Sequence, residues 1–242
     1  MSSFFYNLGK MVGPHARKGK WLWQSLTGSE ADIIRAEYDV GQDLAREIRQ
    51  QVGLAPEPQV EQLLHEIGSR LTVRVANKQR KFKFDIIKGA EGNAFALPGG
   101  FIFLTATLVD LCQRKPDEIA FILGHEMAHV IRGHAMKRII SSSAMVAASR
   151  AAPARNLLTV WLRKVGIRFF ESAYSQKREL EADTLGARLA AAAGYEPYAP
   201  VQMLSRLAEL RPTTKKIGLG SYFSSHPPFA VRIHNLKHQL SP

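Results

Sequence analysis

The sequence predicts a mostly helical α+β fold with a small antiparallel β-sheet. Three observations carry this. Apolar residues recur at helical spacing over most of the chain beyond Ser29. The segment "KFKFDIIK" alternates, placing Phe82, Phe84 and Ile86 on one face as a strand does. Soon after it, "NAFALPGGFIFLT" joins two short apolar runs through Pro98-Gly99-Gly100, which reads as a hairpin.

Taken in order, the first helix spans about 29–52, with Ser29 as N-cap; Gly53 and the Pro56-Glu57-Pro58 stretch end it. A second helix follows near 59–71, then the strand and the hairpin. A helix starts near Thr105 and another at Pro116-Asp117-Glu118. Proline in a first turn followed by two acids suits the positive end of a helix. That helix carries "IAFILGHEMAHVIRGH". Residues 141–155 are small and weakly patterned, which predicts a mobile connection or a marginal helix. "LLTVWLRKVGIRFF" reads as helical, "SQKRELEADTLGARLAAAAGY" as a long helix ending at Gly194, and "PVQMLSRLAEL" as an amphipathic one. After a loop over 211–225, "HPPFAVRIHNLKHQL" closes the chain as a helix that starts at its prolines. There is no internal repeat and no interdomain linker. The expected division is an aromatic and basic arm over 1–28 and a single domain over 29–242.

A composition of 45% hydrophobic and 22% charged residues describes a globular chain rather than a disordered one. Cys112 is the only cysteine, which excludes an intrachain disulfide and a thiolate cluster. Any metal must therefore be held by nitrogen and oxygen. The formal charge of +12 fits nucleic acid, anionic membrane or acidic partners without choosing among them. Zinc-finger spacing, a ribonucleoprotein sequence and a glycine-rich phosphate loop are all missing, so no nucleic acid partner is expected and the basic surface reads as solvated. In the arm, Asn7, Lys10 and Pro14 interrupt any continuous apolar core, so no signal peptide is recognised. Its aromatics and bases are expected to pack on the domain body, with peripheral membrane contact through residues 1–24 as the other reading that this mixture suits. The longest uncharged run, Gly92 to Val109, is broken by Pro98-Gly99-Gly100 and makes no transmembrane helix. A cytoplasmic or peripherally membrane-associated protein is expected.

The stretch "FILGHEMAHVIRGH" holds the chemistry. At about 100° per residue, His125 and His129 lie about 40° apart on a helix, so both rings can reach one ion. Glu126 projects from nearly the same side. H-E-x-x-H on a helix is the arrangement in which two imidazoles bind Zn²⁺ and the glutamate sits beside a water. A chance match on a helix surface is the alternative, but Phe121, Ile122, Leu123, Met127, Val130 and Ile131 predict a helix buried over most of its circumference. Buried titratable groups need partners. Gly124 and Ala128 would let another backbone approach closely. His134 fails the metzincin spacing, since the positions seven and ten after His125 are Arg132 and Ala135. On a continuing helix it lies about 180° from His125 and reads as a rim or structural residue.

A third ligand must come from elsewhere, and "RELEAD" is the best source. Glu179 and Asp183 share a helix face, whereas Glu181 points roughly 160° away from Glu179. Glu179 as ligand, with Asp183 one turn on bonding a ligand histidine's free N–H, follows a common pattern around metals. A solvated acidic face is the alternative.

Four stretches, "NAFALPGGFIFLT", "HEMAHVIRGH", "SQKRELEAD" and "SSHPPFAVRIHNL", together resemble the zinc metallopeptidases that include the CAAX prenyl endopeptidase, the HtpX heat-shock membrane protease and the mitochondrial inner-membrane quality-control protease. They stand in the family's order and cover the chain from about residue 90 to the end. The resemblance implies a gluzincin-type metallopeptidase domain, one Zn²⁺ per chain, and Glu179 as third ligand in an E-x-x-x-D motif. It implies contact of His226 and Arg232 with substrate or the developing oxyanion, although His226 before two prolines also reads as a helix-start residue. The segment Asn93, Ala94, Phe95, Ala96 is implied to be an edge strand pairing with extended substrate. Membrane members of the family carry spanning helices; none is recognised here, which points to a soluble or peripheral branch. The implied function is a zinc-dependent endopeptidase acting on unfolded or damaged proteins, with Glu126 as general base. The alternative is a non-catalytic, zinc-stabilised binding or holdase-like protein.

Overall fold

The hairpin at Pro98-Gly99-Gly100 forms. In the computed structural model, which describes residues 28–142, 161–162, 165–166, 168–171, 174–210, 226 and 228–240, β2 (Ala94–Leu97) pairs antiparallel with β3 (Phe101–Thr105). Gly99 (φ 73°) and Gly100 (φ 91°) turn the chain in a region that side chains disfavour. The sheet differs from the expected antiparallel one in one strand. β1 (Lys83–Ile87) joins the other side of β3 in parallel register, giving the mixed order β1-β3-β2. The connection over 88–93 is long enough to step across one strand position, and β3 returns into the space between.

Both faces of this sheet are covered, and the pleat sorts its side chains accordingly. Ile86, Ala94, Ala96, Ile102 and Leu104 pack with α2 (Pro58–Arg74) and α4 (Pro116–Ile131). Ile87, Phe95, Leu97, Phe101 and Phe103 pack on the opposite face with α1 (Glu30–Val52), which Ser29 and Asp32 start as a reciprocal capping box. Thr105 caps the short α3 (Ala106–Leu111) by accepting from the Leu108 N–H. Cys112, just beyond, is fully buried as a small apolar residue, and burial pushes its thiol pKa upward. Beyond α4 come α5 (His134–Ser141), the short α6 (Arg168–Glu171), α7 (Gln176–Ala192), α8 (Ala199–Leu210) and α9 (Phe229–Leu240). No helix among the described residues is long and apolar enough to cross a membrane. The arm over 1–27, the weakly patterned stretch beyond Ser142 and the loop over 211–225 lie outside the described residues.

Two features of α4 decide where the chemistry sits. Every residue from Glu118 to Val130 is buried, as its apolar surroundings predict. The helix then stops at Ile131 instead of running on through His134. Gly133 takes a left-handed conformation (φ 66°), and α5 begins immediately after it. The close backbone approach expected at Gly124 is made by α7. A Cβ on Gly124 would lie 2.7 Å from the Gly186 carbonyl oxygen, and one on Gly186 would lie 2.6 Å from the His125 nitrogen. Backbone cannot yield as a side-chain tip can. Gly186→Ala is therefore expected to lower stability by about 1–3 kcal/mol, read as a lower urea midpoint at unchanged slope. It should also weaken metal retention, because the two helices it separates carry the candidate ligands. A wild-type midpoint would show that the two helices are free to slide.

Candidate metal centre

Three buried side chains from two helices converge on one point. His125 Nε2 and His129 Nε2 are 3.1 Å apart, His125 Nε2 and Glu179 Oε2 3.5 Å, and His129 Nε2 and Glu179 Oε1 3.5 Å. Donors about 2.0–2.1 Å from a tetrahedral zinc stand about 3.3 Å from one another. The observed spacing is that of a metal's ligand shell. Glu179 Oε1 is buried with no hydrogen-bond partner among the described residues. The donor set of two imidazoles and a carboxylate fits zinc. His226 approaches the same point, and one donor atom from each of His125, His129, Glu179 and His226 lies within 4.8 Å of the others.

The electrostatics favour a cation. Burial works against a charged His125, yet Asp183 and Glu179 overcome it and push its pKa up to about 9. Burial would raise Glu179, but His226 and His125 hold it well below the usual carboxylate range. His129 is driven well below the ordinary imidazole value, by burial and then by the neighbouring His125. Glu126 lies beside these groups, 2% exposed, with its Oε1 3.6 Å from His226 Nε2. That oxygen has no hydrogen-bond partner among the described residues. Burial raises the Glu126 pKa against the pull of His226 and His125, which favours a group that both takes up and returns a proton.

Around the point of convergence, Asp183 Oδ1 is 2.9 Å from His125 Nδ1. Asp183 also receives Arg232, whose Nε donates to Oδ2 at 2.8 Å and whose Nη2 donates to Oδ1 at 2.7 Å. Arg232, 1% exposed, thus sits behind Asp183, where two carboxylate bonds compensate a buried guanidinium. Its Nη1 donates to the His226 carbonyl at 3.4 Å, which links α9 to the histidine. His226 itself, 3% exposed, places Nδ1 2.8 Å from Glu179 Oε2.

Of the expected substrate segment, β2 is an edge strand of the sheet, but Asn93, Ala94, Phe95 and Ala96 are all buried. The Phe95 ring stacks on Phe103 and Phe170 at 5.4 and 6.3 Å, so its side chain belongs to the core. Only main-chain groups of this strand suit an extended peptide.

Two further residues stand at the centre. His134, expected as a rim or structural residue on a continuing helix, is 3% exposed rather than at a rim and places Nδ1 3.0 Å from His129 Nδ1. The break at Gly133 turns it back, and that glycine was the available signal. Burial, then nearby Arg178, pulls the His134 pKa down to about 4. Tyr174, just ahead of α7, stacks on the His129 ring at 4.3 Å and carries the Arg138 guanidinium 4.7 Å from its own ring centre. Burial pushes its phenol up to about 12. No spacing rule pointed to it.

Comparison with known proteins follows the same lines. The model of peptidase family M48 matches residues 58–240, about three quarters of the chain. Among similar proteins, the beta-barrel assembly-enhancing protease of Escherichia coli (strain K12) is 23% identical over 214 residues, covering 84% of this chain and 42% of that protein. Metalloprotease LoiP of the same organism is 26% identical over 204 residues, 75% of this chain and 79% of the relative. The mitochondrial metalloendopeptidase OMA1 of Saccharomyces cerevisiae is 28% identical over 163 residues, 62% and 44% of the two chains. The chain spans less than half the length of the assembly-enhancing protease and of OMA1.

Proposed function

The chain belongs to peptidase family M48, and on that footing we propose that it is a zinc-dependent endopeptidase acting on unfolded or damaged protein chains. One observation carries the reading. Three donors stand at the mutual distances of a zinc ligand shell, and an unbonded, buried Glu126 oxygen lies beside them. The printed names of the three relatives, all proteases, support it.

In this reading His125, His129 and Glu179 hold the ion, one per chain, and the domain over 29–242 is the catalytic unit. Zinc, when bound, supplies the Lewis acidity that polarises a carbonyl and brings the pKa of water to about 7. Asp183 accepts from His125 Nδ1–H and so leaves Nε2 its lone pair. Glu126 takes a proton from the attacking water at Oε1 and returns it to the leaving nitrogen. Its raised pKa suits the second half of that task. Arg232 fixes Asp183 and, through the His226 carbonyl, the start of α9. The main chain of Asn93 to Ala96 aligns an extended peptide by strand addition. A substrate that must be extended to bind favours unfolded over folded protein, and no nucleic acid enters the scheme. Residues 1–24, with aromatics among bases, suit a peripheral membrane contact.

Incubation of the zinc-loaded protein with one protein substrate, folded and unfolded, followed by mass spectrometry of the products, tests this. Internal cuts in the unfolded form, abolished by a chelator and restored by zinc, are expected. Trimming from the termini alone would rule out an endopeptidase.

A second reading rests on His226, whose place in the four-residue cluster would let it close the site as a fourth ligand and leave a non-catalytic, zinc-stabilised protein. The two readings separate at His226→Ala. An oxyanion-stabilising His226 predicts a cleavage rate about 10²–10³-fold lower, whereas a closing ligand predicts a higher one.

A further inference from the structure

Zinc binding as proposed requires a lone pair on Nε2 of both histidines, and the structure secures it in two different ways. At His125 the arrangement is direct. Asp183 only accepts, so the proton that His125 keeps when it binds an ion sits on Nδ1. At His129 the Nδ1 atom faces the His134 ring, nitrogen to nitrogen, at 3.0 Å. Two ring nitrogens at that distance share one hydrogen. If His134 owned it, a neutral His129 would carry its own proton on Nε2, aimed at His125 Nε2 and at the metal position.

Glu181 decides which ring owns the hydrogen. Its Oε2 lies 3.4 Å from His134 Nε2. A carboxylate facing that ring nitrogen favours the His134 tautomer with its proton on Nε2 and leaves Nδ1 as an acceptor. His129 then donates from Nδ1 and offers its Nε2 lone pair to the ion. We propose that His134, held by Glu181, is a positioning residue that fixes the tautomer and orientation of His129 as a metal ligand. This rests on the reading of His125, His129 and Glu179 as the ligands.

The fold supplies the geometry twice. Gly133 (φ 66°) breaks the helix so that His134 swings back to a residue five positions earlier. On α7 the acids alternate. Glu179 faces the metal position and Asp183 the Nδ1 of His125, while Glu181 on the other flank, 40% exposed, reaches His134. Tyr174, stacked on His129, limits the remaining freedom of that ring.

Zinc affinity, measured by competition with a chromophoric chelator on wild type, His134→Leu, His134→Asn and Glu181→Ala, tests the proposal without reference to activity. His134→Leu is expected to bind zinc about 10–100-fold more weakly. His134→Asn keeps an acceptor oxygen in place of Nδ1 and is expected to recover most of that loss. Glu181→Ala, a change at a partly exposed side chain, should fold as wild type and weaken zinc less than His134→Leu does. Wild-type affinity in His134→Leu would overturn the proposal, as would equal losses in the Leu and Asn variants, which would mean packing alone. If the Leu variant fails to fold by circular dichroism, unchanged affinity in Glu181→Ala overturns it instead. A wild type that binds no zinc would overturn the ligand assignment itself, a result distinct from all of these.

Discussion

Glu126→Gln is expected to bind zinc as wild type does and to cleave an unfolded protein about 10²–10⁴-fold more slowly, the usual contribution of a positioned general base. The substitution keeps the shape and changes one property, since an amide cannot take up a proton. Glu126 stands on the same helix as His125, one residue on, but it lies outside the set of donors that converge within 4.8 Å. Metal binding should therefore survive. Its burial and raised pKa place a proton acceptor where water is scarce, and His226 Nε2 lies 3.6 Å from its Oε1. Loss of zinc together with activity would mean that Glu126 is a ligand. Undiminished cleavage would mean that another group serves as base.

Asp183→Ala is expected to lower stability by about 3–5 kcal/mol and to weaken zinc binding in the same variant. The carboxylate is fully buried and serves two partners, Arg232 through two bonds and His125 through one. Its removal leaves a buried guanidinium without either of those bonds and the His125 N–H without an acceptor. Thermal unfolding and chelator competition measure the two losses separately. The pH dependence gives the sign. Burial acts to raise the Asp183 pKa, but Arg232, and then His125, outweigh it and hold the value below the ordinary 3.8. A carboxylate depressed in the folded state contributes stability that is present above its unfolded pKa and is lost as pH falls through the folded one. Wild-type protein should therefore lose stability more steeply than Asp183→Ala on acidification below about pH 4. Parallel acid limbs would show that Asp183 is not ionised in the fold.

What could be read from the sequence was local. Helical arithmetic over four residues sets His125 beside His129, and Glu179 beside Asp183, and the structure brings His125, His129 and Glu179 to one point with Asp183 against the Nδ1 of His125. The apolar run around Gly124 likewise announces a buried helix, and the glycine announces a close neighbour. The illegible parts depend on a single dihedral or on distant chain. One left-handed glycine at 133 moves His134 from the far side of a helix to the back of His129. Arg232 meets Asp183 across 49 residues of sequence, and no periodicity encodes that pairing. The parallel placement of β1 follows from how β3 returns between its neighbours, which is likewise non-local. Sequence spacing thus paired neighbours on one helix more readily than residues that meet across the fold.

The most direct measurement is a titration of metal-depleted protein with zinc, following cleavage of an unfolded protein at each step, on wild type and on Glu179→Ala. Wild-type activity should rise with added zinc and level off at one ion per chain, while Glu179→Ala stays inactive at the same zinc concentrations. Cleavage that is independent of zinc, or that persists undiminished without the Glu179 carboxylate, would contradict the assignment of this centre as the active site.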